Sequence, residues 1–216
     1  MTFVYHPPET ELDVVFRNDD LIALNKPSGL LSVPGRNMAH KDCLETRVQQ
    51  HYQTATTVHR LDMDTSGIMV MALNKEAHRH ISKQFEQKTL KKSYICLVAG
   101  VVPTNAGEID LPLRCDWPNR PLQMVDHDLG KKALTRWRVL ERLDEVSRLE
   151  LSPVTGRSHQ LRVHCLSMGH PILGDRFYAP PEVIAKSKRL CLHAEILELE
   201  LPVSGQRMTF NAPCPF

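Results

Sequence analysis

The sequence predicts an α+β fold with a largely antiparallel, mixed β-sheet. Two observations carry this reading: many short apolar runs of strand length, and only a few scattered stretches with helical spacing. A third is an absence, since no regular β-α-β alternation runs through the chain to build a parallel sheet. With 216 residues, 42% hydrophobic and 24% charged, the chain suits one sizeable domain, or two small ones sharing a sheet. A single domain over 1–216 is the expectation.

Asp13 to Asn25 reads as a hairpin. Val14-Val15-Phe16 and Leu21-Ile22-Ala23-Leu24 flank the polar turn Asn18-Asp19-Asp20. Pro27 and Gly29 end the second strand, because proline cannot donate to a ladder and glycine suits a turn. Asp42 is the expected cap of a helix through about His51. Ile68 to Leu73 is a continuous apolar run, as in a central strand covered on both faces. Asn74 should cap a helix whose apolar stripe is Ala77, Ile81 and Phe85. Ser93 to Ala99 reads as a strand with Tyr94, Cys96 and Val98 on one face.

Residues 100–133 are rich in turn formers, which predicts short strands and long loops. Leu134 to Leu140 and Ser147 to Leu151 look like a hairpin. Ser158 is the expected cap of a helix from His159 to Met168 with the stripe Leu161, Cys165 and Met168, ended by Gly169. Leu192 to Leu201 and Met208 to Asn211 are the last two strands expected.

The net charge of +2 identifies no partner by itself, but its distribution is uneven. Residues 1–25 hold one basic and five acidic side chains. Lys75, Arg79, Lys83, Lys88, Lys91 and Lys92 stand against only Glu76 and Glu86. Lys131, Lys132, Arg136, Arg138 and Arg142 stand against Glu141 alone. Two basic stretches fit a polyanion-binding face, and solvated surface elements fit them equally well.

The six cysteines include no CxxC pair, so neither a zinc site nor a secreted disulfide framework is indicated. Reduced cysteines in a cytoplasmic protein are expected. The N-terminus lacks the basic and apolar regions of a signal peptide, and no apolar run is long enough to span a bilayer.

Asp62 is the first candidate for chemistry. It lies on a polar turn, His59-Arg60-Leu61-Asp62-Met63-Asp64-Thr65-Ser66-Gly67, just before the buried strand. Alone it also fits a turn-forming aspartate bonded to nearby backbone. Arg162 is the second, bordering the apolar stripe of its helix. An enclosed guanidinium there needs a carboxylate, whereas helix spacing alone favours a stem covering apolar surface with its head in water. Tyr94 is the third: a base could stack on its ring after Lys91-Lys92, though strand tyrosines commonly serve packing. His78, His80, His159, His164 and His170 accompany no HExxH-like pattern, so no metal is expected.

Five motifs in order then resemble the RluA family of pseudouridine synthases over nearly the whole chain. They are Asn25-Lys26-Pro27-Ser28-Gly29, His59-Arg60-Leu61-Asp62 with Thr65-Ser66-Gly67, Lys92-Ser93-Tyr94, Gly156-Arg157-Ser158-His159-Gln160-Leu161-Arg162-Val163-His164, and Gly169-His170-Pro171-Ile172-Leu173-Gly174-Asp175. Cys115 to Pro121 and Leu30 to Gly35 resemble a dual-specificity subgroup that acts on 23S ribosomal RNA and a tRNA anticodon stem-loop.

The resemblance implies the pseudouridine synthase fold, with its sheet and loops around a central catalytic cleft. It implies that Asp62 is the catalytic carboxylate, Tyr94 the residue packing against the flipped base, and Arg162 the partner of that carboxylate. Arg60 matches the arginine entering the RNA stack, and His59, Lys91, Lys92, Lys131, Lys132, Arg157 and His159 are further RNA-binding candidates. Met63 stands where many relatives carry arginine. The extra N-terminal RNA-binding domain of larger relatives is not expected. Uridine isomerisation exchanges nothing with a second substrate, so no cofactor or metal is expected. The partner expected is RNA, with no DNA and no membrane, and monomer is the default state. Two other readings stay open: a non-catalytic RNA-binding or chaperone module, and a hydrolase using Asp62 and Asp64 as an acid/base pair.

Overall fold

The computed structural model describes residues 4–216. The signal-peptide reading rests partly on residues 1–3, which lie outside the described residues. The chain forms two compact units: one contains residues up to Lys92 with Ala194–Pro215, the other Ser93–His193 with Phe216.

The first unit opens with the expected hairpin of β1 (Val14–Arg17) and β2 (Leu21–Lys26). Asn18 shapes its turn, its side-chain oxygen accepting from the N–H groups of Asp20 and Leu21 at 3.0 and 2.9 Å. Helix α1 (Leu44–Gln49) is capped by Cys43 rather than Asp42. The Asp42 carboxylate is occupied instead by Arg47, whose Nε and Nη2 donate to it at 2.7 Å each. A charge-assisted fork of this kind outcompetes a neutral cap.

Strand β3 (Thr56–Thr57) and strand β4 (Ser66–Ala72) follow, and β4 is buried at all seven positions. That burial on both faces is what its unbroken apolar run requires. Asn74 caps α2 (Lys75–Gln87) as expected, accepting from the Ala77 N–H at 2.8 Å. Ala77 and Ile81 are buried, but the third buried position is Gln84 and not Phe85. The Gln84 amide pairs with both backbone groups of Glu200 at 2.8 Å, so a polar side chain is buried there with its hydrogen bonds made.

Strand β5 (Lys91–Ala99) begins in the first unit and leads into the second. There follow β6 (Ala106–Asp110), β7 (Leu113–Cys115), β8 (Gln123–Val125), β9 (Leu134–Arg142) and β10 (Val146–Pro153). The order β5-β10-β9-β6 is antiparallel throughout, and β7 and β8 form a separate two-stranded ribbon. Cys96, Val98, Leu149, Leu151, Leu161, Cys165 and Ile172 lie in one buried cluster. Helix α3 (Gln160–Ser167) starts one residue later than expected. Its N-cap is His159, in the left-handed region at φ 52° and without a side-chain cap. The Gln160 side-chain oxygen instead accepts from the Arg157 N–H at 3.0 Å, which fastens the turn before the helix. The helix buries every residue from Gln160 to Cys165, a wider face than the expected stripe. A short α4 (Pro181–Ile184) completes this unit.

The chain returns to the first unit along β11 (Leu192–Glu200), which pairs with β12 (Arg207–Asn211). In that unit the strand order is β1-β2-β4-β11, with β3 also on β4. Gly67 has φ 115°, and a Cβ there would collide with the backbone of Ala194. Glycine is therefore required by a close approach of two strands. An α+β fold with largely antiparallel pairing is what the sequence predicts. Among the described residues no helix is long and apolar enough to cross a membrane, no group of three or more ligands could hold a metal, and no disulfide joins the cysteines.

Candidate active site

In the first unit, the turn carrying Asp62 is held by its own backbone. Ser32 Oγ donates to the Leu61 carbonyl at 2.7 Å and accepts from the Leu61 N–H at 3.1 Å. The Asp62 carbonyl accepts from the Thr65 N–H at 3.1 Å. The Met63 carbonyl accepts from Lys26 Nζ and from the Gly29 N–H, both at 2.9 Å. Ser28 Oγ donates to the Asp64 carbonyl at 2.6 Å. Four successive carbonyls are thus bound, three of them by the segment from Lys26 to Ser32. The backbone that carries the Asp62 carboxylate is thus held in place before any substrate arrives, which is one condition for efficient chemistry at one atom.

Lys26 is wholly buried. An ammonium in that position costs several kcal/mol unless its protons are used. Here it also donates to the carbonyls of Pro27 and Leu30 at 2.9 and 2.7 Å.

His59 stands at the start of the turn. Its Nε2 accepts from the Val70 N–H at 2.9 Å, and its ring stacks on Phe85 with centroids 4.6 Å apart. Burial first, and the charge of Lys92 second, push its pKa down to about 3. The ring is neutral and fastens the turn to β4 and α2. Arg60, by contrast, is exposed and has no ion pair among the described residues.

In the second unit, Arg162 is buried and bonded to Asp175. Its Nε and Nη2 donate to the two carboxylate oxygens at 2.9 and 2.5 Å, and the side chains are 2% and 1% exposed. The reading of a solvated guanidinium on an apolar-covering stem does not hold. Phe177 and Tyr178 lie against the guanidinium, with ring centroids 4.9 and 5.2 Å away. The Tyr178 hydroxyl lies 2.6 Å from His159 Nδ1 and accepts from the Gln123 N–H at 2.9 Å. His159 and Arg162 therefore share the same aromatic pair. Tyr94, opposite Leu151, is half-buried and packs against the cluster around Cys96 and Leu149.

The basic stretches divide once their neighbours are known. Arg136 pairs with Glu108, and Arg138 with Glu150. Arg142 donates to the carbonyls of Val102 and Thr104 and to the Asn105 side chain at 2.8–3.0 Å. Lys131 and Lys132 are exposed and form no ion pair among the described residues. Arg157 joins them, its Nε donating to the Lys132 carbonyl at 3.1 Å. Lys91 meets Glu198 at 3.3 Å, and burial lowers the pKa of Lys92.

Several of these residues carry little signal in the linear sequence. Lys26, Ser28 and Ser32 fall within the resembling stretches, but nothing in the linear pattern says which turn they hold. Asp175 is 13 residues from Arg162, off any helical period. Phe177 and Tyr178 follow it and show no pattern of their own.

A rigid carboxylate turn and a buried arginine–aspartate pair on an antiparallel α+β scaffold coincide with one family. Residues 20–167 match the family model described as RNA pseudouridylate synthase, and the chain belongs to that family. It is an isomerase, an RNA pseudouridine synthase. The chain is 52% identical to the dual-specificity RNA pseudouridine synthase RluA of Escherichia coli K12, over 98% of both chains. It is 50% identical to the protein of that name in Haemophilus influenzae, again over 98% of both. Among solved structures, the human RNA pseudouridylate synthase domain containing 1 superposes with a TM-score of 0.81 at 29% identity. That match covers 98% of this chain and 87% of the human one.

Proposed function

We propose that this enzyme isomerises specific uridines in stem-loops of 23S ribosomal RNA and of a tRNA anticodon arm, with Asp62 as the catalytic carboxylate. The observation that carries the reading is the clamped backbone from Leu61 to Asp64, which supports Asp62 as a firmly held acid. Relatives with dual specificity in their name, matched end to end, support the two RNA classes.

In the reaction the C1′–N1 bond of uridine breaks and a C1′–C5 bond forms. The C5 proton is lost and N1 finishes with a proton, so atoms and electrons balance without a second substrate. Asp62 acts on the target nucleotide as its glycosidic bond breaks. Tyr94 packs against the extruded base and takes part in removing the C5 proton. Arg162 supports the carboxylate chemistry electrostatically. Extrusion costs a few kcal/mol, least in a loop, and Arg60 fills the space the base leaves in the stack. Lys91, Lys92, Lys131, Lys132, Arg157 and His159 contribute RNA contacts, and His59 serves by holding the turn. The enzyme works as a monomer, in the cytoplasm.

The test uses Asp62→Asn with stem-loop transcripts of both RNA classes. Pseudouridine formation falls by about 10²–10⁴-fold or more, while RNA binding persists. Full activity in Asp62→Asn would sink the assignment. Binding without pseudouridine in the wild-type protein would favour a non-catalytic RNA-binding module.

A further inference from the structure

Trp117 is 64% exposed, an unfavourable placement for the largest apolar side chain unless something covers it. Its indole makes no hydrogen bond to any described residue. The Arg120 guanidinium lies over the ring, 4.8 Å from its centroid, and Arg120 has no ion pair among the described residues. One face of the indole therefore carries a cation with an unmatched charge, and the rest of the ring is open to solvent.

The loop presenting this pair is closed by its own backbone. Asp116 N–H donates to the Leu122 carbonyl at 2.9 Å, and the Asn119 and Leu122 N–H groups donate to the Asp116 and Asn119 carbonyls at 3.0 Å each. Asn119 Nδ2 adds a bond to the Asp116 carboxylate at 2.9 Å. The loop caps the β7–β8 ribbon, and Gln123 at its foot donates to the same Tyr178 hydroxyl that meets His159. Lys131 bridges to Leu113 on the ribbon, so Lys131, Lys132 and Arg157 stand at its base. The tip of the ribbon is thus aromatic and cationic, its base cationic, and its foot tied to the residues around Arg162.

We infer that Trp117 and Arg120 form a stacking platform for an unpaired nucleobase of the substrate RNA other than the reacting uridine. The base lies on the open indole face while Arg120 backs the ring and meets the adjoining phosphate. Any base offers a π-face, so the platform selects an unstacked nucleotide rather than a base identity. The inference rests on the proposed stem-loop RNA substrate.

Steady-state pseudouridine formation and RNA binding, each measured with Trp117→Ala and Trp117→Phe on one stem-loop transcript, test it. In Trp117→Ala, KM and the dissociation constant rise about 5- to 150-fold, the range expected for losing one base–aromatic stack. Trp117→Phe recovers most of that loss, kcat stays close to wild type, and the salt dependence of binding is unchanged because no phosphate contact is removed. Binding and KM within about two-fold of wild type in Trp117→Ala overturn the platform, as does a loss confined to kcat. A Trp117→Ala protein that binds RNA normally but changes its self-association shows that a second copy covers the ring, which also overturns it. If wild type binds these RNAs through Trp117 yet forms no pseudouridine in them, the platform stands and the substrate reading fails. If Trp117→Ala forms pseudouridine in them with unchanged KM, the substrate reading stands and the platform fails.

Discussion

Lys26 Nζ and the carbonyl of Met63 are 2.9 Å apart, so a wholly buried ammonium grips the residue that follows Asp62. The same ammonium binds Leu30 at 2.7 Å, which ties the end of β2, the loop after it and the Asp62 turn at one point.

Replacing it tests that grip. Lys26→Met leaves the Leu30 carbonyl without this donor, while the Met63 carbonyl keeps the Gly29 N–H, and a buried acceptor left unsatisfied costs about 1–3 kcal/mol. Chemical denaturation should show a loss of about 1–3 kcal/mol for that acceptor. The kcat should fall with RNA affinity retained, since the turn loosens and the RNA contacts do not. Stability and kcat at wild-type levels would show that the turn holds itself.

Arg162 and Asp175 form the second test. Arg162→Met strands a carboxylate that is 1% exposed, and breaking a buried pair in this way costs about 3–5 kcal/mol. The double variant Arg162→Met with Asp175→Leu removes both charges and should regain most of that stability in denaturant melts. It should not regain pseudouridine formation. If activity returns with stability, the guanidinium has only a structural part.

His59 makes the fold sensitive to acid. Its folded pKa is depressed to about 3 from the ordinary 6.5, so between these values the unfolded chain binds a proton that the folded chain refuses. The stability this contributes is complete above pH 6.5 and is lost as pH falls towards 3, at up to about 1.4 kcal/mol per pH unit. His164, whose pKa burial also lowers, acts with the same sign. His59→Gln keeps an acceptor for the Val70 N–H and cannot titrate. Denaturation midpoints from about pH 7 to 4 should therefore fall less steeply in that variant, and parallel slopes would refute the account.

Strands are readable because their signals are local. The buried β4 declares itself by an unbroken apolar run, and the β1–β2 hairpin by Asn18 between two such runs. Caps are less so: Asp42 is a better cap than Cys43 by type, and only the presence of Arg47 diverts it. Charge runs mislead for a similar reason. Arg136 and Arg138 look like cations awaiting a polyanion until Glu108 and Glu150 are seen on the strands beside them. Motif order brings out Asp62, Tyr94 and Arg162, and the same motifs contain Lys26 and Asp175 without showing what either touches. Both are defined by what they neutralise or satisfy across the fold, which is information a linear pattern does not hold.

The missing side chain at Gly67, near the head of β4 and shortly after Asp62, has a consequence for any effort to retarget this enzyme. The space a methyl group would fill there belongs to the main chain of Ala194. A randomised library spanning the turn from His59 to Gly67 would thus be silently filtered: clones lacking glycine would drop out for folding before their choice of uridine was ever sampled. Diversity is better placed at exposed positions such as Arg60, where a new side chain meets solvent instead of a neighbouring strand.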